Sequence, residues 1–264
     1  MAEDHLRALR AVRFAARLGL DVEPATRKAI TRHARELAGV SRERIGEEVR
    51  MMLGVPSRGR AVKLLNELGL AGPVLEEEEK GAGDKPEGNM VASLPADAGF
   101  GLALAAWAVD RAGGQVRAVE PGGVASRWRR ALCLSNDEHE ELRAILSTAV
   151  QMNDAWADMG IALRKRLAAS REYRQALAIL RIAAPKLSRG IERDVEILTQ
   201  DGIGLAPPPL VTGDDLVAAG YAPGPEFGRW LEEAYNSQLE GGIRAQYEAM
   251  AFIASRAKRA SEAG

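Results

Sequence analysis

From Glu3 to about Leu70, apolar residues recur three and four positions apart among charged ones, the period of helices that bury one face. Leu6, Leu9, Val12, Ala16 and Leu20 make one such stripe, and Asp4, Arg7 and Arg10 step along the opposed face. The pattern predicts helices over about 3–18, 24–37, 41–53 and 57–68. Gly19 and Gly39 stop two of these runs, Pro24 stands where the second helix opens, and Ser41 is a good N-cap for the third. The pattern then breaks over 71–99, where Gly72-Pro73, the run Glu76-Glu77-Glu78-Glu79, Gly81, Gly83, Pro86 and Gly88 read as a linker too polar to pack. Helical period returns over about 101–112, 124–133, 136–153, 157–168 and 170–183. Pro207-Pro208-Pro209 predicts a stiff extended segment, Thr212-Gly213-Asp214-Asp215 a capped short helix, and two last helices run over about 226–238 and 243–259. No stretch alternates at strand period. The expected class is all-α, in four stretches: 1–70, a linker over 71–100, a helical body over 101–205 and a helical end over 206–264.

Composition adds bounds. A chain of 264 residues, 46% hydrophobic, can bury one large core or two small ones. Its 36 Lys and Arg against 37 Asp and Glu exclude a globally polycationic protein, so any RNA surface must be a local patch. The first quarter, where basic residues outnumber acidic ones, is the place for it. Cys133 is the sole cysteine, which excludes a disulfide framework and a Cys-rich zinc cluster. No apolar run reaches the roughly 20 residues of a membrane helix, and MAEDHLR lacks the basic start of a signal peptide. A soluble cytoplasmic protein with no membrane partner is expected.

The candidate chemistry sits on the first helix. A carboxylate accepts hydrogen bonds from an exocyclic amine, and an arginine fork donates to a ring nitrogen or carbonyl. Asp4 and Arg7, three apart, can therefore imitate a pairing base. The same spacing also describes a surface ion pair worth a few tenths of a kcal/mol. Arg13 falls toward the apolar stripe, where a charge needs a partner; Glu43 or Glu48 is expected to supply it.

Glu3-Asp4-His5-Leu6-Arg7, Leu9-Arg10-Ala11-Val12-Arg13-Phe14-Ala15 and Glu23-Pro24-x-Thr26 together resemble the nucleobase-recognition motif and neck helices of class II tRNA nucleotidyltransferases. That family comprises the CCA-adding enzymes and the related poly(A) polymerases. Ser41-x-Glu43-Arg44-Ile45-x-x-Glu48 is similar to its ERxxxE element, and 209–216, 223–228 and 238–241 resemble its tail. The resemblance is strong over about 1–70 and 206–255 and thin between.

The resemblance implies a neck over 1–70, a body over 101–205 and a tail over 206–264 that contacts tRNA. Asp4 and Arg7 would select incoming CTP or ATP, and Glu3 would orient Arg7. Arg10, Arg13, Glu43, Arg44 and Glu48 would support them. Family members also carry a head domain with a Gly-rich strand and turn and two carboxylates for Mg2+, which residues 1–264 lack the motifs to supply. The chain is thus expected to bind no cofactor itself and to be inactive unless a head is supplied in trans, as a separate polypeptide, or upstream. A poly(A) polymerase fragment and a head-free RNA-binding or scaffold protein are the alternatives.

Other features have plainer readings. His5, His33 and His139 lie far apart, without metal-site spacing. Trp107, Trp128, Trp156 and Trp230 fall at helical apolar positions and suit a core. Arg127-Trp128-Arg129-Arg130 combines cations with an aromatic ring and is a second candidate RNA contact, against a salt-bridged helix surface.

Overall fold

A computed structural model describes residues 2–77, 89–200 and 202–262, with side chains from residue 5 to residue 259. The described residues form fourteen α-helices joined by turns and short 3-10 segments, and no strand. They divide into two compact units, Met1–Asp154 with Glu172–Ser188, and Ala155–Arg171 with Arg189–Gly264.

The first unit opens with α1 (Ala2–Leu18), α2 (Pro24–His33), a 3-10 turn Ala34–Gly39, α3 (Arg42–Leu53) and α4 (Arg58–Glu67). The caps sit where the sequence puts them. Glu23 accepts the amides of Ala25 and Thr26 ahead of Pro24, and the Ser41 hydroxyl accepts that of Arg44. Leu6, Leu9, Val12 and Ala16 are buried as α1 lies on α3 and α4. Leu20 is not part of that stripe and is 57% exposed, because α1 ends at Leu18 and Gly19 turns the chain with φ +70°. α5 (Ala71–Leu75), α6 (Phe100–Arg111), α7 (Pro121–Leu132), α8 (Asn136–Ala155) and, after the second unit's α9, α10 (Tyr173–Ala183) complete the unit. All ten residues from Gly101 to Asp110 are buried, which makes α6 the central helix. Its Trp107 packs on Trp128 of α7 with ring centroids 5.6 Å apart. α3 and α7 approach so closely that a Cβ on Gly46 would lie 2.0 Å from the Leu132 carbonyl oxygen. One residue on, Cys133 closes α7 in the left-handed region, φ 46°, with its thiol beside Glu43.

The expected polar linker over 71–100 is corrected at both ends. Ala71, Val74 and Leu75 are buried in α5, and Met90, Val91 and Leu94 are buried beyond it. Polarity misled because Glu77 is spent on partners: it accepts from Arg111 Nε at 2.8 Å and Trp128 Nε1 at 2.9 Å. On the far side, the buried Asp110 carboxylate accepts the amides of Met90 at 2.9 Å and Val91 at 3.4 Å. Glu78, Glu79 and the glycines and proline of 81–88 lie outside the described residues.

The second unit holds α9 (Ile161–Ala169), most of α11 (Pro185–Gln200), α12 (Gly213–Ala218), α13 (Pro225–Leu239) and α14 (Gln246–Glu262). No helix is among those expected over 185–200, yet α11 runs the length of it. The grouping also departs from a boundary at 205. α9 joins the C-terminal helices because it packs on α13, where Arg166 pairs with Glu232 at 3.1 Å and lies over the Tyr235 ring. Val211, Leu216, Trp230, Ile243 and Ile253 form the core. The expected extended segment is there, held by Tyr235 donating to the Pro207 carbonyl and by Gln238 bonding both Pro208 and Leu210. Among the described residues no helix is long and apolar enough to cross a membrane.

Candidate functional site

α1 presents its candidate face outward. Arg7 and Arg10 are exposed, while Leu6 and Leu9 between them are sealed below. The side chains of Glu3 and Asp4 lie outside the described residues; their backbone belongs to the first turn of α1. Three residues advance about 300° around a helix, so positions 4 and 7 lie about 60° apart on one face. Arg7 lines a groove of about 450 Å³ between α1 and α2, whose floor is mostly apolar, with Ala8, Ala11, Ala29 and Ile30.

Lower on α1, Arg13 turns inward, as a residue in phase with the apolar stripe must. Its Nε lies 3.3 Å from Oε2 of Glu48, which is 4% exposed, and its guanidinium stacks over the Phe14 ring at 4.8 Å. Glu48 is one of the two partners expected. Glu43 is instead exposed beside Cys133, and Arg44 is half-buried. Glu48 thus joins α3 to α1 through a desolvated pair, which is costly to break on one side only.

Three arginines that the motif reading left out bind this region together. Arg42 donates to the carbonyls of Ala131 at 2.8 Å, Pro73 at 3.2 Å and Val74. Arg50 grips Glu138 with two bonds, at 2.7 and 2.6 Å, and donates to the Cys133 carbonyl. Arg58, 2% exposed, donates to the carbonyls of Val55, Pro95 and Ala96 at 2.8–3.0 Å. One signal was available for Arg58: it is in phase with Val62 and Leu65 on the buried face of α4.

The histidines are also closer than their spacing suggests. Nδ1 of His5 lies 3.2 Å from Oε2 of Glu36, and Nδ1 of His33 lies 2.7 Å from Oε1 of the same carboxylate. The bond from His33, with the charges of both imidazoles, holds the Glu36 carboxyl below its ordinary value. α2 gives the groove Thr26, Ala29, Ile30 and His33, and its other faces are basic. α2 contains Arg27, Lys28 and Arg32, has no acidic residue and buries no side chain. Of these, Arg27 pairs with Glu67 at 2.9 Å, and Lys28 and Arg32 are exposed.

Trp128 is corrected as an RNA contact. It is fully buried against Trp107, with its indole N–H given to Glu77, so it has no face to offer a base. Arg127 pairs with Glu77 at 3.4 Å and Arg129 donates to Asn136 at 2.6 Å, while Arg130 remains exposed. Asp215 caps α12 and accepts from Gln246, Asp110 accepts two amides, and no group of three or more His, Cys, Asp or Glu side chains converges among the described residues.

Residues 19–80 match a family described as "Probable RNA and SrmB- binding site of polymerase A". The chain is 29% identical over 289 residues to a CC-adding tRNA nucleotidyltransferase of Thermus thermophilus, covering 95% of this chain and 66% of that protein. A CC-adding tRNA nucleotidyltransferase of Geobacter sulfurreducens is 28% identical over 97% of the chain and 64% of its own length. Both matches leave just over a third of the relative uncovered. The crystal structure of Bacillus stearothermophilus CCA-adding enzyme in complex with CTP shares the fold, with a TM-score of 0.71 at 22% identity over 99% of this chain and 64% of that one.

Proposed function

We propose that the chain is a member of the family of CCA-adding tRNA nucleotidyltransferases and poly(A) polymerases, and that residues 1–264 are the part of such an enzyme that holds tRNA and selects the incoming CTP or ATP. The observation that carries this reading is the placement of Arg7: exposed, at the edge of an open groove, on a helix whose lower half is locked to α3 by Arg13 and Glu48. A base reader needs that combination of solvent access and a fixed helix.

The chemistry accounts for the choice of nucleotide. Cytosine and adenine each pair an exocyclic amine with a ring-nitrogen acceptor on their Watson-Crick edge. In this reading Asp4 accepts from the amine and Arg7 donates to the acceptor, whereas uracil and guanine present a carbonyl and an N–H in those places and leave both side chains unsatisfied. Glu3 orients Arg7, and Arg10 lies one turn further along the same face. Glu43, Arg44 and Glu48 support α1 from α3, and of these Glu48 has the direct contact. The tRNA backbone runs along α2, where Lys28 and Arg32 meet phosphate, and the second unit meets the tRNA body. Phosphoryl transfer by this family needs metal ions. In this reading that step belongs to a metal-holding unit other than residues 1–264.

Nucleotide titrations test the reading. Wild-type chain is expected to prefer CTP and ATP to UTP and GTP, and Arg7→Ala or Asp4→Ala to lose that preference, each costing about 1–3 kcal/mol of discrimination. Equal affinity for all four would refute the base reader. A salt-dependent affinity for tRNA that Asp4→Ala leaves unchanged, in a chain with no nucleotide preference, is the signature of a scaffold. The matched family's description also favours a poly(A) polymerase. Incorporation of CTP onto tRNA lacking its terminus, once a metal-holding unit is present, separates the CCA-adding activity from it.

A further inference from the structure

α1 is packed on α3 and α4 along its length, through Leu6 and Leu9 as well as the residues below them, but its flank toward α2 is open. Val12, Ala15 and Ala16 are buried. On the flank toward α2 the apolar side chains are only Ala8 and Ala11, beside His5 and Arg7, and the groove they leave is open. Small side chains there add little to the packing that orients the helix end from its other side. Glu36 supplies a polar tie. It stands on the 3-10 turn after α2, takes His33 from its own segment on Oε1 and takes His5 from the first turns of α1 on Oε2. His5 is flanked by Asp4 and precedes Arg7 by two residues. The tie lies in the groove that Arg7 also lines, and His5 adjoins Asp4 in the chain.

We propose that Glu36 is a positioning residue for nucleotide selection, setting the azimuth of the first turns of α1 by holding His5 and His33 on its two carboxylate oxygens. This rests on the reading of Asp4 and Arg7 as the base reader. The clamp is not a stability device. Glu36 and His33 are about half exposed, and exposed pairs contribute little to folding. Its effect is geometric, because a base edge is discriminated only when donor and acceptor meet it together, and a small rotation of α1 separates them.

The test compares Glu36→Ala, Glu36→Gln and wild type in the full chain by amide hydrogen exchange and by titration with CTP, ATP, UTP and GTP. Glu36→Ala is expected to keep the wild-type melting temperature, to speed exchange at residues 6–9 at least fivefold and to reduce the preference for CTP and ATP at least fivefold. Glu36→Gln keeps a carbonyl that one imidazole N–H can reach and is expected to recover part of both. Unchanged exchange in Glu36→Ala overturns the clamp. Faster exchange with an unchanged preference overturns its role in selection. A wild type without any preference refutes the base reader instead, and exchange then still decides the clamp.

Discussion

At the scale of residues, Asp110 sets a pH dependence. Burial pushes its carboxyl from the ordinary 3.8 up to about 6, against the amides of Met90 and Val91, which pull it down. The folded chain therefore binds this proton more tightly than the unfolded one. The stabilisation is fully present below about pH 4 and is lost as the pH rises through about 6. On moving from pH 7 to pH 5, the wild type is expected to gain about 1 kcal/mol over Asp110→Asn, read from denaturant midpoints. An identical pH slope in the two proteins would assign the effect elsewhere. The residues of the site divide by the kind of partner they need. Arg13 was legible because a charge in an apolar stripe demands a counter-charge, and Glu48 lies in reach of it. Arg42 was not, and for Arg58 only its burial was, since their partners are backbone carbonyls, which no side-chain pattern records. His5 and Glu36 were hidden by their separation along the chain, and Glu77 by its place in a run that reads as solvated.

At the scale of elements, the crossing of α3 and α7 depends on a missing side chain. Gly46→Ala would drive a methyl group into the Leu132 carbonyl oxygen, so the helices must part, at about 1–3 kcal/mol. The same substitution at Gly190, in α11 with nothing within 4 Å of the added atom, is expected to stabilise by about 0.5–1 kcal/mol. Thermal or urea denaturation of the two variants checks both signs. The first four helices were legible to within a few residues because the apolar stripes are reinforced by Gly19 and Gly39 as stops and by Pro24 and Ser41 as entries. α5 is five residues long and includes a glycine and a proline, too short to show a period. α11 opens on a proline that reads as a break but costs little in the first helical turn, and Gly190 and Asp194 interrupt its apolar side.

At the scale of the molecule, two compact units imply two cooperative transitions. Trp107 and Trp128 report on the first unit and Trp156 and Trp230 on the second. In a Trp156→Phe, Trp230→Phe protein, fluorescence follows the first unit alone while far-ultraviolet circular dichroism follows both. The second unit, with the smaller core, is expected to unfold first, so that the dichroism transition begins at lower urea than the fluorescence transition. Coincident curves would mean that the units unfold as one. The left-handed cap at the end of α7 has a practical corollary. Burial, and then the neighbouring Glu43, push the Cys133 thiol up, so the chain's one native sulfhydryl is a sluggish nucleophile at neutral pH. Alkylation at pH 7 should therefore tag a Lys28→Cys protein on its exposed basic helix well before it reaches Cys133, and a fluorophore placed there would register an arriving polynucleotide against a dark background.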